Sequence, residues 1–92
     1  MLTVQEVEAA LQARAPWVLE DGMLVLEIRD APFSDIAGLV REILVVAEEL
    51  DHHPDVGFGY NWLRVSTLTH DAGGITEKDL ACADRILKRL AS

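Results

Sequence analysis

The chain has a single cysteine, Cys82, among 92 residues, so no intrachain disulfide and no thiolate metal cluster can form within it. A reducing, cytoplasmic setting fits that usage. Aromatic residues make up only 5% of the chain, and a core must therefore come mainly from Leu, Ile, Val and Ala. Positive charge is scarce: 8 Lys and Arg stand against 16 Asp and Glu, a formal net charge of −8. That excludes the clustered cationic surface with which proteins grip a phosphate backbone, so nucleic acid is not an expected partner. No uninterrupted apolar run approaches the length of a membrane span. Residues 1–10 carry Glu6 and Glu8 where a secretory signal needs positive charge and an apolar stretch, so no membrane partner is expected either. A Gly-x-Ser-x-Gly nucleophile elbow, a phosphate-binding glycine loop and a dinucleotide fingerprint are all missing. The Gly73-Gly74 pair is short enough to be a loop alone.

What is present suffices for one domain over residues 1–92, since half of the chain is apolar and two separate cores would each be very small. Residues 3–14 read as a helix, with Thr3 and Glu6 as a capping box and Val4, Val7 and Leu11 as its apolar stripe. Pro16 stops it. Residues 17–20 and 23–29 read as two strands around Asp21-Gly22, a tight-hairpin dipeptide. Ser34 is a candidate cap for a longer helix to about Leu50, in which Ile36, Val40, Ile43, Ala47 and Leu50 form one stripe. Pro54 prevents its continuation. Strands are expected over residues 56–60 and 62–68, with Asn61 near the turn. Thr76 and Asp79 form a second capping-box-like start, and Leu80, Ala83, Leu87 and Leu90 supply the closing helix's stripe.

The order is α-β-β-α-β-β-α. A four-stranded antiparallel sheet with three helices packed on one face buries these stripes, an α+β architecture. Leu39, Leu44 and Val46 lie off the main stripe of the second helix. Such surplus apolar surface points to a subunit interface, with sheet edges available for pairing between chains.

All three histidines fall in two short polar segments. One is Glu48-Glu49-Leu50-Asp51-His52-His53-Pro54 at the exit of the long helix; the other is Thr69-His70-Asp71 after the last strand. Imidazole exchanges protons near neutral pH, with an ordinary pKa of roughly 6.5, so several in one cleft can divide acid and base work. Glu48 precedes His52 by four residues, and on a continuing helix its carboxylate reaches that ring. Asp51, Asp71 and Asp79 are further nearby carboxylates. The same residues also have plain readings. His-His-Pro suits a solvated helix C-terminus facing the negative end of the dipole, Thr-His-Asp suits a turn, and Asp79 suits the third position of a helix. Trp17 and Trp62 suit packing anchors, Tyr60 either core or pocket wall, and Cys82 a structural role. Adjacent His52 and His53 cannot easily aim at one ion from a regular helix, and no His-x-x-x-His spacing occurs, so no metal is expected.

The registered pattern is Glu48, three residues, His52-His53-Pro54, five residues, Tyr60, nine residues, His70, eight residues, Asp79. It resembles the signature of the pterin-4a-carbinolamine dehydratases, also called dimerization cofactor proteins. The resemblance is good over residues 31–90 and weaker before them, where it rests on element order and Trp17. It implies an α+β subunit forming homodimers or homotetramers, without metal or organic cofactor. The implied reaction expels water from a 4a-hydroxytetrahydropterin to give the quinonoid dihydropterin, which recycles the cofactor of aromatic hydroxylation. By the same resemblance His52, His53 and His70 are the catalytic histidines, and Glu48 and Asp79 support them. Asp51, Pro54, Thr69 and Asp71 belong to the pterin site. His52 and His70 form the expected acid–base pair, His53 orients substrate, and Asp79 is expected to hold His70. The chain departs from the family at Val56, where tryptophan is common, and at Leu26 and Ile28, where aromatics are frequent. Two other readings stand beside this one: a non-catalytic protein-binding or assembly module on the same fold, and a dehydratase for a molybdopterin-related pterin.

Overall fold

A tight turn at Asp21-Gly22 joins the first two strands. Both residues have positive φ, 51° and 77°, the backbone whose twist matches a two-residue hairpin. The computed structural model describes residues 1–91. Its elements are α1 (Val4–Leu11), β1 (Val18–Glu20), β2 (Met23–Arg29), α2 (Phe33–Leu50), β3 (Asp55–Phe58), β4 (Trp62–Thr67), a 3-10 turn (His70–Ala72) and α3 (Glu77–Leu90). This is the expected α-β-β-α-β-β-α order. The strands form one antiparallel sheet in the order β1-β2-β4-β3. No helix among the described residues is long and apolar enough to cross a membrane.

One face of the sheet makes the core. In β2 and β4 the inward residues are Leu24, Leu26, Leu63 and Val65, and the register sets Leu26 opposite Val65. They pack with Val7 of α1, Ile36, Ile43 and Val46 of α2, and Leu80, Cys82, Ala83 and Ile86 of α3. Val46, read from sequence as surplus surface, is therefore core; Leu39 is half-buried against it. Leu44 does remain exposed, with Phe33 and Val45. The opposite face carries charge, where Arg64 of β4 bridges Glu20 and Glu27 and Arg29 joins Glu27.

Helix starts differ instructively. Thr3 and Glu6 close the expected capping box on α1, but α1 ends at Leu11 rather than Arg14. Ser34 does not cap α2: Pro32 occupies that position without a side-chain bond, and Phe33 begins the helix. Proline's fixed φ suits that entry, and its carbonyl accepts from the amides of Asp35 and Ile36. Trp17 sits just before β1, buried as a packing anchor.

The topology determines where chemistry can collect. Because β3 and β4 pair antiparallel, the start of β3 lies beside the end of β4, with Asp55 opposite Ser66. The exit of α2, the segment after β4 and the start of α3 all meet at this end of the sheet. The β3–β4 turn, with Tyr60, lies at the other end.

That turn is built around Trp62. A Cβ added at Gly59 would run into the Trp62 indole nitrogen, whereas one at Gly38 within α2 meets nothing within 4 Å. Gly59→Ala is therefore expected to destabilise the fold by about 1–3 kcal/mol through overpacking. Gly38→Ala should stabilise it by up to about 1 kcal/mol through helix propensity. Urea midpoints of the two variants, moving in opposite directions from wild type, are the measurement.

Candidate active site

The deepest polar group of the molecule is Asp79, which has no exposed surface. A buried carboxylate is tolerated only when its lone pairs are taken up by donors, and here four donors meet it. Oδ1 accepts from the Thr67 hydroxyl at 2.7 Å and from His52 Nε2 at 2.7 Å. Oδ2 accepts from the Thr69 hydroxyl at 2.7 Å and from the Thr76 amide at 2.9 Å. The last bond is one half of the capping box on α3, whose other half is the Asp79 amide donating to Thr76 Oγ1; that hydroxyl also accepts from the Lys78 amide. Burial pushes the Asp79 carboxyl pKa up, but the bonds from Thr67, the Thr76 amide, Thr69 and His52 more than offset it. The net effect holds this carboxyl below the usual aspartate value, so it is ionised inside the core. Its charge, after burial, also helps push the neighbouring Cys82 thiol up to about 11.

His52 owes its direction to how α2 ends. Asp51 adopts a left-handed conformation, φ 49° and ψ 44°, which Asp tolerates better than most residues. The Asp51 and His52 amides then fold back onto the Ala47 and Glu48 carbonyls. The reversal turns His52 inward, leaving its side chain only 12% exposed, while His53 stays 59% exposed. Glu48 therefore pairs with His53, Nε2 to Oε2 at 3.1 Å, and not with His52. The expectation that Glu48 reaches His52 assumed a helix continuing past Leu50, and the left-handed residue removes that condition. The expectation that Asp79 holds His70 is likewise corrected: its imidazole partner is His52.

His70 lies on the exposed 3-10 turn after β4. The turn is closed by a backbone bridge between Thr69 and Gly74, and Gly73 has the positive φ of 73° that the reversal requires. A cleft of about 280 Å³ opens between these segments, lined by residues 51–53, residues 68–71 and Lys78. All three histidines, with Asp51, Thr69 and Asp71, thus share one concave surface. Thr69 lines it with its hydroxyl already committed to Asp79 and Thr76. Pro54 does not line it, and instead leads the chain into β3. Tyr60 is exposed at the far turn and has no place in the cleft. Lys78 is a wall residue that the sequence reading missed. Thr67 was missed too, although a threonine following Leu63 and Val65 at an inward position is a polar residue where an apolar one is due.

A larger cleft, about 650 Å³, lies between α2 and α3. Its Arg89 is committed to Glu42 and Glu49, and it holds no histidine. Among the described residues no group of three or more His, Cys, Asp or Glu side chains is arranged to hold a metal ion. The histidine cleft is therefore the place where proton transfer can be organised. An ionised carboxylate behind His52 orients its ring.

Residues 1–88 match the family model described as pterin 4 alpha carbinolamine dehydratase. A Metallosphaera sedula protein, named provisionally as a pterin-4-alpha-carbinolamine dehydratase, is 40% identical over 85 residues, covering 92% of this chain and 88% of its own length. The crystal structure of a transcriptional coactivator/pterin dehydratase from Brucella melitensis is similar with a TM-score of 0.87 and 31% identity, over 95% of each chain. A pterin dehydratase-like protein described as a RuBisCO assembly factor in the alpha-carboxysome shares the fold at a TM-score of 0.60. Its identity is 18%, over 76% of this chain and 81% of its own.

The lowered Asp79 pKa fixes the sign of an acid-stability effect. Its contribution is fully present above the unfolded value of about 3.9 and is lost as pH falls through the lower folded value. Asp79→Asn should be less stable than wild type by about 2 kcal/mol at neutral pH, because donors that met a carboxylate are left unpaired. The difference should shrink as the solution is acidified below about pH 4. Urea unfolding at several pH values tests this, and a constant difference would mean that the buried carboxylate is not ionised.

Proposed function

The chain belongs to the pterin 4 alpha carbinolamine dehydratase family, and from that premise we propose that it dehydrates a 4a-hydroxytetrahydropterin to the quinonoid dihydropterin. The observation that carries the reading is the convergence of His52, His53 and His70 on one cleft, with Asp79 buried behind His52.

In this reaction the C4a–O bond breaks and N5 loses its proton, so that a C4a–N5 double bond forms and water leaves. Hydroxide is a poor leaving group, and an acid must protonate the oxygen as the bond breaks. A base must take the N5 proton. His52 suits the base: its Nε2 is engaged with Asp79, which leaves Nδ1 to meet substrate, and the carboxylate stabilises the imidazolium that results. His70, on the opposite wall, takes the acid role. His53, paired with Glu48 at the rim, orients the pterin, and Asp51 and Asp71 complete the polar lining. Thr69 contributes through Asp79 and Pro54 through the bend between α2 and β3. The reaction needs only proton transfer, which these groups supply without an organic cofactor or a metal. The single free, buried Cys82 fits a cytoplasmic enzyme.

The family resemblance also implies association of subunits. The exposed Phe33, Leu44 and Val45 on α2 support a homo-oligomeric state. The pterin dehydratase-like assembly factor shares the fold alone, so a protein-binding role stands as the second reading. Retention of all three histidines, Glu48 and Asp79 favours the enzyme.

Two measurements test the proposal. His52→Ala and His70→Ala should each lower kcat for carbinolamine dehydration, followed by absorbance, by about 10²-fold or more while the fold is retained. Near-normal turnover in either variant removes that residue from the proton-transfer pair, and an inactive wild type favours the protein-binding reading. Light scattering at micromolar concentration should give a mass above one subunit, and a monomer would refute the oligomeric state.

A further inference from the structure

His52 Nε2, Asp79 Oδ1 and Thr67 Oγ1 form a closed triangle with sides of 2.7, 3.0 and 2.7 Å. Counting protons around it gives a definite answer. Thr67 has one hydroxyl proton and donates it to Asp79 Oδ1. The carboxylate, already the acceptor of two donors on its other oxygen, has no proton to offer. Towards His52, both oxygens can then act only as acceptors. A bare Nε2 would set a lone pair against two oxygen lone pairs, so Nε2 carries the proton and points it between them. Nδ1 is consequently the bare nitrogen of the neutral ring.

Thr67 is 3% exposed and is not among the residues lining the cleft. It stands at the last position of β4, opposite Leu24, on the core side of the sheet. It cannot touch a molecule in the cleft, but it touches the ring that does. With Asp79 alone as partner, the imidazole could pivot about one hydrogen bond. A second acceptor, bonded to the first and rooted in a central strand, removes that freedom.

We propose that Thr67 is a positioning residue of the dehydration site, fixing the tautomer and ring orientation of His52 through this triangle. The role in turnover rests on the dehydratase reading above, whereas the triangle itself can be tested on the free protein.

Nitrogen-15 spectra of the histidine rings at about pH 8.5, where an ordinary imidazole is neutral, should show His52 protonated at Nε2, with that proton exchanging slowly. Thr67→Val removes the hydroxyl at constant shape. In this variant the Nε2 proton should exchange at least about tenfold faster, and kcat should fall about tenfold, a fraction of what a proton-transfer group contributes. KM should stay within about twofold, because the cleft wall is unchanged. Thr67→Ser, which restores the hydroxyl, should recover both the slow exchange and the turnover. A wild-type His52 protonated at Nδ1 overturns the triangle. Unchanged exchange in Thr67→Val, or changed exchange with unchanged kcat, overturns the positioning role. If Thr67→Val does not fold, Thr67→Ala is read by the same criteria. If wild type has no dehydratase activity, the functional reading fails, and the ring spectra alone decide the triangle.

Discussion

A charge inside a protein must be answered by donors, and the arrangement around Asp79 is that answer. Its two oxygens take up hydroxyls from the end of β4 and just beyond it, an amide from the start of α3 and an imidazole from the exit of α2. Segments far apart in sequence are thereby gathered at one end of the sheet. An unpartnered carboxylate at this depth would cost several kcal/mol, so departures from this arrangement are strongly penalised. The site is therefore a by-product of satisfying one buried group as much as a collection of reactive ones. The carboxylate that closes the α3 capping box is also the one that orients His52, so the start of a helix and the alignment of the His52 ring are a single structural event.

Much of the scaffold was legible because local rules act there without competition. Asp21-Gly22 forms its hairpin turn, the two Thr-led capping boxes close, and the stripe in α2 chooses the buried face. The cleft was legible as well, since the three histidines flank β3 and β4 at the ends which antiparallel pairing brings together. What could not be read was which acid serves which imidazole. Helical spacing alone sends Glu48 to His52, but Asp51 turns left-handed and exchanges the directions of His52 and His53. Proximity in sequence suggests Asp79 for His70, but that carboxylate meets His52, just past the end of α2. Such pairings depend on long-range packing, to which residue spacing is blind. Ser34 failed as a cap for a similar reason, with Pro32 already supplying the entry geometry.

The inner and outer faces of the sheet contrast in how they use charge. On the outer face Arg64 is shared by Glu20 and Glu27, and hydrogen bonding to Arg64 is the main influence holding Glu27 below its usual pKa. These groups are open to water, and ion pairs of that kind add little to stability. On the inner face one carboxylate and two threonines, Asp79, Thr67 and Thr69, are shielded from solvent. The same kinds of interaction therefore make a tolerant surface on one side and a demanding site on the other.

The two histidines assigned to proton transfer are mounted differently, one in the core and the other on an exposed turn whose ends meet at Thr69 and Gly74. A ligand entering the cleft finds one wall already immobilised, so the loss of side-chain freedom on binding falls mainly on the His70 side. On the proposed dehydratase reading, the fixed ring is a rigid surface beside which His53 orients a pterin. On the same reading, the His70 ring is left to settle onto the leaving group. Tolerance towards pterins that differ in their side chains would follow from this division, because only one half of the site must be matched in advance.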